Sequence, residues 1–285
     1  MNPSVRRISY LFLCAFPFVA LVVASVRPLR TAGLSQVVGV VLFTALAVAA
    51  WVVGLRMIRL QAEGPGKLAL AGVLLIAPYG IISLLWVGIG APFQATLSEN
   101  YMRYHVLVWN SILMTIGFVV LKDALYEAGE RFYSSLGFAA GLSAGVAYLI
   151  CLNLSLAQVA MVLHGDKTPL PPILGDFYSA IEFVACILTY AATAMFATAM
   201  SRVRFLGRIP ALGYVTASAI LVLLILVRGL EFPEISANTA PWYTRPGVIA
   251  GIPAIPWFLP TLLGVVLLRR AGEARSWQLS GPTIG

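Results

Sequence analysis

The sequence predicts an all-α fold, a polytopic bundle of membrane-spanning helices, and three observations predict it. Its residues are 60% hydrophobic and only 11% charged, whereas a soluble domain carries about 25% charged residues. Mean hydropathy is +0.91. The apolar residues also gather in runs long enough to cross a bilayer, which only helices or closed barrels can do. No polar stretch is long enough to build a soluble core. Residues 1–270 therefore read as one transmembrane helical domain, and 271–285 as a short, polar, disordered cytoplasmic tail.

Eight spans are predicted, at about 8–26, 33–55, 68–90, 105–121, 136–163, 177–200, 210–228 and 248–268. The first follows Arg6 and Arg7 and has no A-x-A cleavage site before Arg27, so it reads as a retained anchor. Orientation follows from the cations. With both termini cytoplasmic, inner segments hold thirteen of the nineteen Lys and Arg residues and outer segments six, the sense of the positive-inside rule. The expected location is the cell membrane. The formal charge of +8 is no sign of nucleic acid, because the cations cluster beside apolar runs.

The longer connections, roughly 91–104, 164–176 and 229–247, then fall outside and are rich in Pro and turn formers. Inner connections are short. In "LKDALYEAGERFYSS" two helices are expected to run on into the cytoplasm, with Glu127 and Arg131 paired at i,i+4. In the last span, Pro253, Pro256 and Pro260 remove backbone donors and free carbonyls, and Pro78 does something similar in the third.

The candidate site centres on Glu182 in "ILGDFYSAIEFVACILTYAATAMF", a carboxylate among apolar residues that a lipid-facing position would penalise. Helical spacing places Tyr178, Ser179, Cys186, Thr189 and Thr193 within about 60° of it, a polar stripe that must face protein or water. His105 and Asn110 in the fourth span, Asn153 and Gln158 in the fifth and Arg228 at the end of the seventh reach similar levels. These residues outline an outward-facing polar cavity in which Glu182 binds a small solute, a lipid headgroup or a proton. Arg228 is its expected counter-ion, and Tyr178, His105, Asn110, Asn153 and Gln158 complete the candidate set. The competing account of Glu182 is an ion pair that fixes helix register, and the amides alone can act as interhelical glue.

Other chemistries lack their parts. Cys14, Cys151 and Cys186 sit in apolar runs without metal spacing, and there is no H-E-x-x-H or P-loop. No cofactor, metal or catalytic residue is assigned. "GLSAG" matches G-x-S-x-G around Ser143 but lies in a helix far from either histidine, so a nucleophile there is rejected. Gly137, Gly141 and Gly145 form a GxxxGxxxG stripe suited to close helix packing or to a helix–helix oligomer. The inner clusters, notably Arg202, Arg204 and Arg208, most simply anchor to anionic lipids. Three function classes stand: a transporter-like or receptor-like binding protein, a structural or sensory subunit of a membrane assembly, and an intramembrane enzyme on lipid-linked substrates using Glu182 with His105 nearby.

Overall fold

The computed structural model describes residues 3–25, 34–60, 63–89, 95–166, 168, 171–230, 250–251 and 254–279. Every regular element among them is helical. We number the helices α1 (Pro3–Ser25), α2 (Leu34–Ala50), α3 (Arg56–Arg59), α4 (Glu63–Ile89), α5 (Leu97–Glu127), α6 (Phe132–Leu163), α7 (Pro172–Arg202), α8 (Arg208–Leu230) and α9 (Phe258–Leu279). A π-helical segment, Trp51–Leu55, joins α2 to α3, and a 3-10 turn, Ile255–Trp257, leads into α9.

Seven helical stretches among the described residues are long and apolar enough to cross a membrane: Val37–Arg59, Gly64–Trp86, Leu97–Glu127, Phe132–Leu163, Pro172–Arg202, Arg208–Val227 and Ile255–Glu273. α1 is a further long helix outside that set. The surface agrees with the lengths. Leu212 is 66% exposed, Ile209 86% and Val40 67%, and large apolar side chains cover the outer faces of α2, α6 and α8. Water would not tolerate so broad an apolar surface on a monomer. The chain is a multi-pass membrane protein.

α4, α7 and α9 are the most enclosed helices, and α6 and α8 the least. α4 touches α1, α2, α5 and α9; α5, α6 and α7 pack in series; α8 leans mainly on α7. Glycine sets the closest approach. Gly72 and Gly264 face each other across α4 and α9, so that a β-carbon on Gly72 would lie 2.8 Å from the Gly264 carbonyl, and one on Gly264 2.6 Å from that of Gly72. The π segment turns Gly54 onto the backbone of Leu268 on α9, with no room for a side chain. Such an extra-residue turn changes which face a helix presents.

Polar side chains meet the carbonyls around the prolines inside α4 and α1. Pro78 lies within α4, and Asn110 Nδ2 on α5 donates to its carbonyl at 2.9 Å. Thr261 Oγ1 on α9 shares its proton between Trp257 O one turn earlier at 2.8 Å and Leu75 O on α4 at 3.2 Å, and within α4 Ser83 Oγ donates to Tyr79 O at 2.6 Å. The Tyr79 hydroxyl donates to the carbonyl of Pro17, inside α1, at 3.1 Å.

Helix ends depart from the sequence expectation in three places. α5 stops at Glu127 because Gly129 takes φ +93°, a left-handed turn that returns the Glu130 amide to Leu125 O. Glu127 and Arg131 therefore do not pair along one helix. Glu127 instead joins Asp123 in holding Lys67 of α4, and Arg131 lies over the Tyr126 ring at 4.6 Å. The buried Glu130 carboxylate caps α6 by accepting from the amides of Tyr133 and Ser134 at 3.0 and 2.7 Å.

The last span is broken rather than continuous from 248. Ala254 is left-handed at φ 82°, Pro256 lies in the 3-10 turn, and Pro260 falls in the first turn of α9, where no intrahelical donor is lost. Pro253 lies outside the described residues. At its other end α9 runs through Leu279, nine residues into the stretch read as a disordered tail. Glu273 ties back to Arg269 at 2.7 Å and Arg270 at 3.3 Å, one turn earlier, and so extends the helix.

The two ends of the bundle differ in charge. One end carries Arg6, Lys67, Asp123, Glu127, Arg131, the 203–207 turn, Arg270 and Glu273, and is called the basic end. The other carries the 164–171 connection and is called the far end.

Candidate functional site

α7 opens at Pro172, where a ring with fixed φ suits the first helical position and no amide is missed. Glu182 then lies about 15 Å below the start of the helix at 1.5 Å per residue, deeper than a start at 177 implied. The stripe it heads is buried as helical spacing requires: Cys186, Thr189 and Thr193 are all 1% exposed or less. Thr189 and Thr193 satisfy their hydroxyls on the carbonyls one turn earlier, at 2.8 Å each.

Groups from two other helices gather around the carboxylate. Tyr104 on α5 lies within electrostatic reach of both Glu182 and Arg103. Cys151 on α6 and Tyr178 on α7 also sense Glu182. The Ser155 hydroxyl on α6 interacts with both Tyr104 and Tyr178. Arg103 is only 1% exposed, and its Nη1 donates to Asn100 Oδ1 at 2.8 Å. The far end thus holds a carboxylate, a guanidinium, two phenols, a thiol and a hydroxyl between α5, α6 and α7.

The stripe continues into the break before α9. Tyr148 donates to Cys186 Sγ at 3.6 Å, and Cys186 Sγ to Gly251 O at 3.6 Å. The Tyr190 hydroxyl donates to Ala250 O at 2.9 Å. Trp257, fully buried, meets the Tyr148 ring edge-on at 5.6 Å. Carbonyls beside the broken last span are therefore read by α7, one to two turns from Glu182.

The sequence candidates separate into groups. Tyr178 joins Glu182. Asn110 is buried but bonds the Pro78 carbonyl on α4. His105 packs edge-on against Tyr101 at 4.6 Å. Asn153 and Gln158 are exposed on α6, and Asn153 Nδ2 turns back to Leu149 O on its own helix at 2.7 Å. The side chain of Arg228 lies outside the described residues. Its backbone position is described: Glu182 stands twenty residues before the end of α7 and Arg228 twenty after the start of α8, so both lie about 30 Å from the 203–207 turn on neighbouring antiparallel helices.

The sequence reading missed Tyr104, Arg103, Cys151 and Ser155. Tyr104 and Cys151 in an apolar run carry no periodic signal that distinguishes a site from a core, Arg103 stands near a helix start where a cation reads as a surface charge, and Ser155 is legible only through the glycines of its helix. The glycine stripe is turned inward. Gly137 faces Phe196 on α7, while Gly141 and Gly145 face Phe118 and Thr115 on α5. An oligomer through it would have to displace the chain's own helices. Among the described residues, no group of three or more His, Cys, Asp or Glu side chains could hold a metal ion.

Set against protein-family models, curated proteins and solved structures, the chain has no match in any of the three comparisons.

Proposed function

We propose that the chain is an eight-span membrane protein with both termini cytoplasmic, of transporter-like or receptor-like type. It takes a small polar solute, a lipid headgroup or a proton at the far-end cluster around Glu182. The observation that supports this reading is that Tyr104 on α5, Cys151 on α6 and Tyr178 on α7 all lie within electrostatic reach of Glu182, with Ser155 on α6 linking the two phenols. A carboxylate beside two phenols can exchange a proton or accept from a donor-rich solute, and a buried arginine on the adjoining turn suits an anionic group. Arg228, at the level of Glu182 on α8, is the counter-ion in this proposal. The backbone at Ala250, Gly251 and Ala254, before α9, is irregular, and irregular backbone at membrane depth is tolerated where it lines protein or a cavity.

The test is a thermal-shift screen of purified protein against monovalent cations, amino acids, sugars and nucleosides across pH, with wild type beside Glu182→Gln. A solute that raises the wild-type midpoint but not that of an equally stable Glu182→Gln supports the reading. A variant that melts several degrees lower, with no solute acting on wild type, overturns it and marks Glu182 as a packing residue.

A second reading, a structural or sensory subunit of a membrane assembly, is favoured by one observation. Asn153 and Gln158 stand exposed on α6, where hydrocarbon contact is costly and a partner helix would satisfy them. Loss of a complex on Gln158→Leu, seen by cross-linking in membranes, would select it.

A further inference from the structure

At the basic end, the turn between α7 and α8 borders an open cavity of about 720 Å³, within the range of roughly 300–1,000 Å³ for small-molecule sites. Arg202, Arg204 and Arg208 line it from the turn and Arg270 from α9, while Leu212 and Val215 continue it along α8. Arg270 is committed to the wall: its Nε donates to Phe205 O at 2.8 Å and its Nη1 meets Glu273 at 3.3 Å. Arg202 lies over the Tyr133 ring at 5.2 Å, which orients the guanidinium without neutralising it. Among the described residues, Arg202, Arg204 and Arg208 form no ion pair. Three charges of one sign therefore share one short turn.

Arg204 adds a backbone argument. It follows the last residues of α7 in the left-handed region, φ 61°, where the amides of Phe205 and Leu206 return to Met200 O at 2.8 and 3.1 Å. Glycine is the usual residue at that position because it has no β-carbon to strain. An arginine kept there holds its guanidinium at the cavity against a conformational cost. α8 also begins at the cavity, with the amides of Arg208 and Ile209 ahead of Pro210 and outside the intrahelical ladder.

The chemistry is graded along one axis, with guanidinium groups at the turn and apolar side chains one and two helical turns deeper. Leu212 is 66% exposed on the surface that faces hydrocarbon. We propose that this cavity binds an anionic membrane phospholipid, its phosphate held by Arg202, Arg204 and Arg208 and the start of an acyl chain laid against Leu212 and Val215. A soluble phosphate would use the same charges but leave the apolar wall unused.

The protein is reconstituted in phosphatidylcholine nanodiscs, and phosphatidylglycerol is titrated in, with the melting midpoint and the lipid retained in native mass spectra as readouts. Inorganic phosphate at matched ionic strength is the second arm. Arg204→Gly is the informative variant because it relaxes the turn as it removes the charge, and Arg208→Gln is the second. Wild type should retain phosphatidylglycerol over phosphatidylcholine, and each variant should bind it about five-fold more weakly. Equal retention of the two lipids, or variants that bind like wild type, would overturn the proposal. A shift with inorganic phosphate equal to that with phosphatidylglycerol would overturn the lipid assignment.

Discussion

The contact between Gly72 and Gly264 makes a sharp test of how the bundle is held, because two effects of opposite sign act on one methyl group. Alanine is favoured over glycine in a helix by about 1 kcal/mol, so Gly72→Ala should stabilise α4 if packing were indifferent. The structure says otherwise. The added carbon would lie 2.8 Å from the Gly264 carbonyl and 3.1 Å from the Leu268 amide nitrogen, both backbone atoms that no rotamer change can move. Ordinary contact begins at 3.4 Å, so α4 and α9 must part by roughly 0.6 Å, an overpacking that typically costs about 1–3 kcal/mol. The same movement stretches the Thr261–Leu75 hydrogen bond, already 3.2 Å, beyond useful length. The propensity gain of about 1 kcal/mol and the lost hydrogen bond, about 1 kcal/mol, roughly cancel, so we expect Gly72→Ala to lose about 1–3 kcal/mol net. Gly213→Ala on α8 is the control, since nothing lies within 4 Å of the position its new carbon would take, and it should be neutral or slightly stabilising. Gly264→Ala opens the same gap, so the double variant should cost less than the sum of the singles. Thermal unfolding in one detergent compares all four, at about 2–4 °C for each kcal/mol. A Gly72→Ala midpoint at or above that of Gly213→Ala refutes the packing argument.

Two further outcomes follow from single hydrogen bonds. Tyr190→Phe leaves the Ala250 carbonyl, at the break before α9, without its 2.9 Å donor, and a buried acceptor so orphaned costs about 1–3 kcal/mol; an unchanged midpoint would show that the bond does not hold the break. In the 164–171 connection, the side chain and amide of Thr168 draw the Asp166 carboxyl below the ordinary range. Its contribution to stability is present above the unfolded-state pKa and fades as pH falls through the folded value. Thr168→Val should raise the Asp166 midpoint in a carboxyl-carbon NMR titration, and a midpoint that stays put contradicts the assignment.

What the sequence disclosed was level along the membrane normal. Apolar runs located the helices, and the stripe from Glu182 through Thr193 was legible because one helix carries it and 3.6-residue periodicity orders it. Helix ends were less legible, since they depend on conformations such as Gly129 at φ +93° and Ala254 at φ 82° and on the short-range pairs of Glu273. Pairing between helices was legible least. Asn110 shares a level with many groups, yet its amide donates to the Pro78 carbonyl on a helix the sequence does not name as its neighbour.

The direction in which α6 faces could have been found. At 100° per residue, Ser155 and Tyr148 lie within about 40° of Gly141, the middle of the glycine stripe, whereas Asn153 lies about 120° away and Gln158 about 100°. Small residues mark the face where another backbone comes close. The stripe thus points Ser155 and Tyr148 into the bundle and turns both amides out, which is how they stand in the structure. Depth alone grouped Asn153 and Gln158 with Glu182; azimuth, fixed by the glycines, replaces them with Ser155. A polar residue in a span is therefore weak evidence for a site until the close-packing face of its helix is known, and on α6 that face was written in glycine.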